Sequence, residues 1–288
     1  MGHSLSLEGS IGVNFFLNLT EEQANKTTVS FTWFNKSLPD VPVKESEDKP
    51  GVYIATCPVA VAEMTYEITA TVKINGTVQD ETNKYKVVDY ANYILTNQEY
   101  ISQYKQQYSI SEYEKLETLV KTMLDYGAKA QVRFDRNKDS LANGGTDHYT
   151  DPVTITNRSS DMTYELDKCG LTYVGSSVIY LSGTTLRHYY KITEPAKFTQ
   201  AVKDSIVFDG SNVTYGERDG MIYFDKKNIV SPMLDRELEI EINGHKYHYS
   251  VLDYSAKAYN DPASTQIDKE LAAAVYRYNA AAKSYFGS

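Results

Sequence analysis

The chain has 288 residues, which is enough for one large domain or two of ordinary size. Hydrophobic residues make up 41% and charged residues 23%, which is typical of a folded globular protein and argues against disorder. The net charge of −9 and the pI of about 5.1 argue against nucleic acid and anionic membrane surfaces as partners, because both attract clustered Lys and Arg.

Three further features of the composition bear on function. The chain contains 25 Tyr against 9 Phe and 1 Trp, and tyrosine combines a flat apolar ring with a polar hydroxyl. Most of these Tyr residues are still expected at half-buried strand and helix positions. No apolar run approaches the roughly 18–20 residues of a membrane-spanning helix, so no membrane insertion is expected. The two cysteines, Cys57 and Cys169, fit no metal spacing and are compatible with free thiols or with one disulfide.

The first elements along the chain are predicted strands. Residues 1–4 resemble a scar of recombinant cloning that stands where a leader was removed, and they are excluded from the fold prediction. Val29, Phe31 and Trp33 alternate with polar or outward residues, and residues 68–74 alternate in the same way. Short runs of this kind, broken by Gly, Asn and Pro, indicate a small antiparallel β-sandwich.

A pair of helices is predicted to follow these strands. Asp89 stands where the strand pattern gives way to a helical one, and its counterpart later in the chain is Asp253. Asp is a preferred N-cap residue, so capping is favoured over a catalytic role for both. Residues 111–114 have the pattern of a capping box. The apolar face of the helix that follows comprises Leu116, Leu119, Val120, Met123, Gly127 and Ala130.

A polar, Gly-containing linker is predicted over residues 137–160. Residues 135–139 open like a calcium-binding loop. The Gly required at the sixth place is Ser140, however, and the Glu required at the twelfth is Thr146. The calcium pattern therefore fails.

Residues 161–288 repeat the organisation of residues 5–136. Four echoes occur in the same order, which is difficult to explain except by duplication. A leading stretch, residues 164–174, is expected to add a strand to the second copy. The echoes are Leu7, Gly9, Asn14, Phe15 and Phe16 with Leu181, Gly183, His188, Tyr189 and Tyr190; 72–76 with 240–244; 86–91 with 250–255; and Leu119, Met123, Tyr126, Ala128, Ala130 and Phe134 with Leu271, Val275, Tyr278, Ala280, Ala282 and Phe286.

The predicted fold class is therefore α+β. We expect two tandem pseudo-repeats, each a small antiparallel β-sandwich followed by a helix pair, that together form a bilobed module. Each copy contains an Asn-Gly dipeptide after a strand, at 75–76 and at 243–244, which favours a tight hairpin.

No catalytic, metal-binding or cofactor-binding residue is predicted. His245 and His248 lie three positions apart, and such residues point to opposite faces of a strand. The chain lacks the Gly-x-Ser-x-Gly, phosphate-loop and dinucleotide-binding patterns. One alternative stays open, in which two of the 38 acidic residues meet in space as the carboxylate pair of a glycosidase.

The remaining candidates are aromatic residues and one arginine. Sugar rings have apolar faces that stack on aromatic rings and hydroxyl rims that need polar partners. Trp33 shares a predicted face with Val29 and Phe31, which also fits the core, and one of the adjacent Tyr189 and Tyr190 must point outward. For each residue singly, packing is as good an explanation as binding. The predicted ligand-binding set is Trp33, Tyr173, Tyr190, Tyr215, Arg218 and Tyr223.

Several segments resemble a duplicated module that is common in secreted surface proteins of gut Firmicutes such as ruminococci. The resemblance spans residues 5–286. The segments are SLEGSIGVNFF at 6–16, VDYA at 88–91, MLDYGAKAQ at 123–131, GTTLRHYY at 183–190 and YRYNAAA at 276–282.

This resemblance implies a secreted or cell-surface location and a place in a larger multidomain protein. Some members are similar to the starch-adherence (amylosome) proteins, in which two lobes form a groove for α-1,4-glucan. We therefore expect a monomeric, non-catalytic starch-binding module that needs no cofactor. The alternatives are a protein-binding or structural adhesin-type module without glycan affinity, and a glycoside hydrolase of unfamiliar type.

Overall fold

A computed structural model describes residues 2–7, 11–47, 49–180 and 183–287, with only the backbone of residues 80–83. The chain divides into two compact units, Met1–Thr150 and Asp151–Ser288. Each unit contains antiparallel sheets and helices, which confirms the α+β class. Within the described ranges, none of the helices combines the length and the apolar character that crossing a bilayer requires.

The first unit contains two four-stranded sheets, with strand orders β1-β2-β6-β5 and β4-β3-β7-β8. Its strands are β1 (Gly2–Ser6), β2 (Gly12–Asn18), β3 (Thr27–Trp33), β4 (Lys36–Pro42), β5 (Lys44–Glu45), β6 (Val52–Pro58), β7 (Ile68–Ile74) and β8 (Thr77–Tyr85). Its α-helices are α1 (Glu21–Ala24), α2 (Val87–Thr96), α3 (Gln98–Gln107) and α4 (Ile110–Phe134), and a 3-10 turn covers Val61–Glu63.

The second unit also contains two four-stranded sheets, with strand orders β9-β10-β14-β13 and β12-β11-β15-β16. Its strands are β9 (Leu171–Ile179), β10 (Thr184–Ile192), β11 (Val207–Phe208), β12 (Ser211–Asn212), β13 (Gly216–Arg218), β14 (Met221–Ile229), β15 (Leu238–Ile242) and β16 (His245–Tyr249). Its α-helices are α5 (Gln200–Asp204), α6 (Val251–Asn260) and α7 (Gln266–Phe286), with 3-10 turns at Leu166–Cys169 and Ser231–Met233.

The two units share one topology. If β9 to β16 are matched in order with β1 to β8, both sheets of the second unit have the strand order of the first. Helix α1 then corresponds to α5, α2 to α6 and α4 to α7. Helix α3 has no counterpart among the described residues, so the first unit contains three helices after its sandwich where a pair was predicted.

The core of each unit lies between its two sheets. In the first unit Phe15 of β2 meets Phe31 of β3, with ring centroids 5.3 Å apart. In the second unit His188 of β10 meets Phe208 of β11 at 5.3 Å and Tyr249 of β16 at 5.1 Å. Each pair joins a strand of one sheet to a strand of the other, as in a β-sandwich.

The strand alternation and the apolar helix face were predicted correctly. Val29, Phe31 and Trp33 are all buried on one face of β3. The predicted face of α4, including Leu119 and Met123, is buried as well. Both Asn-Gly turns are present, with positive φ at each of their residues.

The capping residues differ from the prediction. Asp89 and Asp253 are not N-caps; they occupy the third helical position, and the N-cap residues are Lys86 and Ser250. Asp253 completes a capping box with Ser250, so it still accepts backbone N–H groups at the helix start.

Helix α4 begins earlier than predicted. Its N-cap is Ser109, whose hydroxyl accepts the backbone N–H of Glu112 at 3.0 Å, whereas the predicted capping box began at Ser111. The Ser-x-x-Glu pattern also occurs at 109–112, and this earlier copy is the one that starts the helix.

The echo that matches Leu7–Phe16 with Leu181–Tyr190 is out of register by one residue. It aligns the buried Phe15 with the half-buried Tyr189, and the half-buried Asn14 with the buried His188. A one-residue shift moves every side chain of a strand to the other face, so the equivalence must be shifted by one. Gly9 and Leu181 of this echo lie outside the described residues. Residues 2–4, excluded from the prediction, form part of β1.

The segment predicted as a linker is held by hydrogen bonds within each unit. The Asp125 carboxylate accepts the backbone N–H groups of His148 at 3.0 Å and Tyr149 at 3.1 Å. In the second unit Asp253 accepts the backbone N–H of Arg158 at 2.5 Å. Each unit therefore uses a buried helical Asp to fix part of the segment that joins the repeats.

Both cysteines are free and buried, one in each unit. Burial raises the pKa of the Cys57 thiol to about 12. It also raises the pKa of the Cys169 thiol. Both side chains therefore stay protonated and act as small apolar core residues.

Candidate functional site

The candidate site lies on the outward face of the β9-β10-β14-β13 sheet in the second unit. Along β10, Leu186, His188 and Tyr190 are buried, so Arg187 and Tyr189 point to the opposite face. Their cross-strand partners on β14 are Asp225 and Tyr223. We call these four residues the Arg187 face.

Arg187 is fixed by two neighbours. Its Nε and Nη2 atoms donate to the two carboxylate oxygens of Asp225 at 2.6 and 2.8 Å, which is a bidentate ion pair. The guanidinium carbon also lies 3.8 Å from the centre of the Tyr223 ring. The hydrogen bond to Asp225 is the main cause that raises the pKa of Arg187, so this group stays charged at any working pH.

The two tyrosines of this face lie side by side, with ring centroids 6.0 Å apart and planes at 51°. Each stands opposite a glycine on the neighbouring strand: Tyr223 opposite Gly216, and Tyr189 opposite Gly175. A β-carbon on Gly216 would lie 2.3 Å from Cζ of Tyr223. The missing side chain at Gly216 therefore makes room for the Tyr223 ring to lie across the sheet.

A cavity of about 500 Å³ opens beside the Arg187 face. Arg187 and Tyr223 form part of its wall, and Tyr215 and Asn212 come from the turn-rich segment between β11 and β13. The cation Lys226 in this wall pairs with Asp209 at 2.6 Å. Lys227 adds an exposed cation to the wall. The rest of the cavity offers ring faces, hydroxyls and amides.

Two of the six predicted binding residues meet at this cavity, and a third, Arg218, lies on the same sheet outside its wall. Tyr215 and Tyr223 line the cavity. Arg218 lies on β13, where it pairs with Met221 of β14, and it is exposed beside Asp219 with Nε 3.3 Å from the carboxylate.

The other three predicted residues face the core. Trp33 is 9% exposed and donates its indole N–H to the buried Glu63 carboxylate at 3.0 Å. Tyr190 has no exposed surface and stacks on Phe224 at 5.3 Å. Tyr173 is half-buried, with its ring 5.6 Å from that of Tyr190. Neither Trp33 nor Tyr190 presents a ring face on which a ligand can stack.

Sequence reasoning missed Arg187, Asp225 and Gly216, and of the adjacent Tyr189 and Tyr190 it chose the buried Tyr190. A signal was present, because Arg187 and Tyr189 alternate on one strand as Tyr223 and Asp225 alternate on another. Matching these two patterns required the pairing of β10 with β14, which are distant in the sequence.

A second, smaller cavity of about 330 Å³ lies in the first unit beside Asp89 and His148. His148 Nδ1 is 2.8 Å from the carboxylate of Asp125, which is 5% exposed. Because this carboxylate also accepts two backbone N–H groups, its direct effect is to hold the 148–149 segment against α4. Across the described part of the chain, no group of three or more His, Cys, Asp or Glu is placed to bind a metal ion.

Comparison of the chain with protein-family models, curated proteins and solved structures found no match.

Proposed function

We propose that this protein is a non-catalytic carbohydrate-binding module and that the Arg187 face contacts the sugar. The observation that carries the proposal is the pair of outward rings, Tyr189 and Tyr223, 6.0 Å apart and held beside a bidentate Arg187–Asp225 pair. Aromatic rings accept the apolar faces of sugars, while a fixed guanidinium and carboxylate satisfy hydroxyl groups.

Preorganisation supports this assignment. Arg187 is 16% exposed and Asp225 14%, and each already has its charged partner, so a ligand does not need to order them. The adjoining cavity adds Tyr215 and the polar side chains of Ser211, Asn212 and Thr214. Sites of this kind combine apolar walls with a few placed polar groups.

Charge contributes little to this mode of binding. The charged pairs Arg187–Asp225 and Lys226–Asp209 are internal to the site, and the whole chain is acidic. Screening by salt weakens exposed charge interactions but leaves stacking and neutral hydrogen bonds largely unchanged. Binding to soluble starch should therefore change little with added salt, and a steep loss would contradict this mechanism.

The proposed ligand is an α-1,4-glucan, in accord with the resemblance to starch-adherence modules of secreted surface proteins. The same resemblance favours a location outside the cell, within a larger surface protein.

The test is native affinity electrophoresis of the full chain through gels that contain amylopectin, mixed-linkage β-glucan, xylan or mucin. The expected result is retardation by amylopectin, which is lost in the double variant Tyr189→Ala/Tyr223→Ala. Tyr164→Ala is the matched control, because Tyr164 is 59% exposed in the same unit but lies away from this sheet. Unretarded migration of the wild type in every gel would reject the carbohydrate function and favour a protein-binding module.

A further inference from the structure

A single file of tyrosine rings runs along the helices of the first unit. The tyrosine row comprises Tyr85, Tyr90, Tyr93, Tyr100, Tyr104 and Tyr108. Successive ring centroids are 6.4, 5.7, 5.4, 5.9 and 4.7 Å apart. The row starts at the end of β8, crosses α2 and continues along α3 to the residue after its last turn.

Helix α3 contributes to this row more than to the core. It buries Ile101 alone of its ten residues, and an isolated helix of this length is marginal in water. The second unit passes from α6 to α7 without a corresponding helix. Helix α3 and the residue after it provide Tyr100, Tyr104 and Tyr108, so the extra segment lengthens an aromatic surface that begins on α2.

Polar side chains flank the row along α3. Gln103 donates to Glu99 at 3.2 Å, and Gln107 donates to the Tyr108 hydroxyl at 3.1 Å. The exposed large apolar side chains of the row are Tyr93 (42%) and Tyr108 (58%), and one aliphatic residue, Ile110 (63%), is exposed two residues beyond its end. A protein-binding surface usually has a broad apolar centre inside a polar rim. This row is narrow, because the further rings beside it are the buried Tyr113 next to Tyr104 and the half-buried His3 stacked on Tyr85.

The rings do not form a flat platform. Neighbouring planes are tilted by 61°, 38°, 56°, 39° and 41° in order along the row. A flat, ribbon-like polysaccharide presents coplanar sugar faces and can meet few of these rings together. A chain whose sugars rotate relative to one another can present a face to each ring in turn.

We propose that the tyrosine row is a second glycan-binding surface, which takes a single coiling chain of neutral sugars along α2 and α3. The inference rests on the proposed carbohydrate function but uses residues of the other unit. Two nearby lysines are already engaged: Lys105 Nζ lies 4.7 Å from the centre of the Tyr113 ring, and Lys115 pairs with Glu112 at 2.8 Å. The exposed Asp89 carboxylate places negative charge near Tyr85. Neutral sugars are therefore favoured over acidic ones.

The test measures binding of maltotriose, maltoheptaose and a cello-oligosaccharide of similar length by calorimetry, with the full chain. In the Tyr189→Ala/Tyr223→Ala background, maltoheptaose should still bind more tightly than maltotriose, because several rings act on one long chain. Adding Tyr93→Ala/Tyr100→Ala should weaken maltoheptaose binding roughly tenfold, because two ring contacts are lost. Gln106→Ala, an exposed change on α3 outside the row, is the control and should have no effect.

A second measurement concerns only the two exposed residues of the row, Tyr93 and Tyr108. Maltoheptaose should shift the aromatic NMR signals of Tyr93 and Tyr108 in the wild-type chain, and Tyr108→Ala alone should weaken its binding. If wild type binds maltoheptaose but the row variants bind it equally well, the row is not a site and the proposed function still stands. Tighter binding of the cello-oligosaccharide to the row would overturn the coiling-chain assignment. If wild type binds no glycan, both proposals fail.

Discussion

The guanidinium of Arg187 lies 3.8 Å from the centre of the Tyr223 ring, and the ring end occupies the space that a side chain at position 216 would need. Tyr223 is therefore confined by the cation on β10 and by the backbone of β13. Because Asp225 fixes Arg187 in turn, the orientation of this ring is set before any ligand arrives.

The first prediction concerns the space beneath Tyr223. Gly216→Ala should destabilise the second unit by about 1–3 kcal/mol, because its β-carbon would collide with the ring and overpack the face. In the Tyr223→Ala background the same substitution should cost almost nothing, since the colliding atoms are gone. Urea unfolding of the two single variants and the double variant measures this coupling, and additive effects would contradict the contact.

The second prediction concerns Tyr190, which has no exposed surface and whose hydroxyl has no hydrogen-bond partner among the described residues. Tyr190→Phe keeps the ring on Phe224 and removes a buried unsatisfied group, so it should stabilise the second unit by up to about 1 kcal/mol. Tyr190→Ala should instead cost about 3–5 kcal/mol through the cavity that it leaves. Thermal unfolding compares the three proteins, and a destabilised Tyr190→Phe variant would show that the hydroxyl does have a partner.

Local sequence patterns predicted the strands and most of the helices of this fold. They did not predict which face of a strand turns toward the core when both faces have similar residues, as in β10. Strand β7 and its Asn-Gly turn follow from alternation and from tolerance of positive φ, both properties of neighbouring residues. On β10 the inward face contains His188 and Tyr190 while the outward face contains Arg187 and Tyr189, so polarity does not separate them. Contact with Phe208 and Tyr249 of the opposite sheet marks the buried side.

Helix α3 was missed for a similar reason. It buries one residue, so its sequence has no apolar stripe of helical period to identify it. Its tyrosines can be counted in the sequence, but their alignment with those of α2 depends on how the two helices are joined at Asn97, whose side chain caps α3. The candidate site depended likewise on the pairing of β10 with β14, which no local pattern contains.

The third prediction concerns Asp125, a buried carboxylate that holds the end of the first unit. Asp125→Asn should destabilise this unit by about 2–3 kcal/mol, because the carboxylate accepts the N–H groups of His148 and Tyr149 and also lies beside His148 Nδ1. Hydrogen exchange at the Tyr149 amide should accelerate together with this loss. Asp139→Asn, at an exposed position of the same segment, is the control. Unchanged protection of Tyr149 would mean that other contacts hold the segment.

The fourth prediction concerns His188, which is fully buried between the sheets of the second unit. Burial is the main cause that lowers its pKa from 6.5 to about 3, with Lys257 adding to the effect. Between these two values the unfolded chain binds a proton at this residue and the folded chain does not. The stabilising contribution of neutral His188 is therefore complete above pH 6.5 and falls, by about 1.4 kcal/mol per pH unit, as the pH decreases toward 3.

The measurement is the free energy of unfolding of the second unit by urea between about pH 7 and pH 4.5, for wild type and His188→Gln. The glutamine of this variant cannot take up a proton, and its amide is able to hydrogen-bond Ser176, whose hydroxyl lies 2.7 Å from His188 Nδ1 in the wild type. The variant should be less stable near neutral pH but should lose less stability on acidification, because residue 188 no longer takes up a proton on unfolding. The carboxylates are the same in both proteins, so their contribution cancels when the two slopes are compared. Equal slopes for wild type and His188→Gln would mean that His188 is protonated in the folded protein.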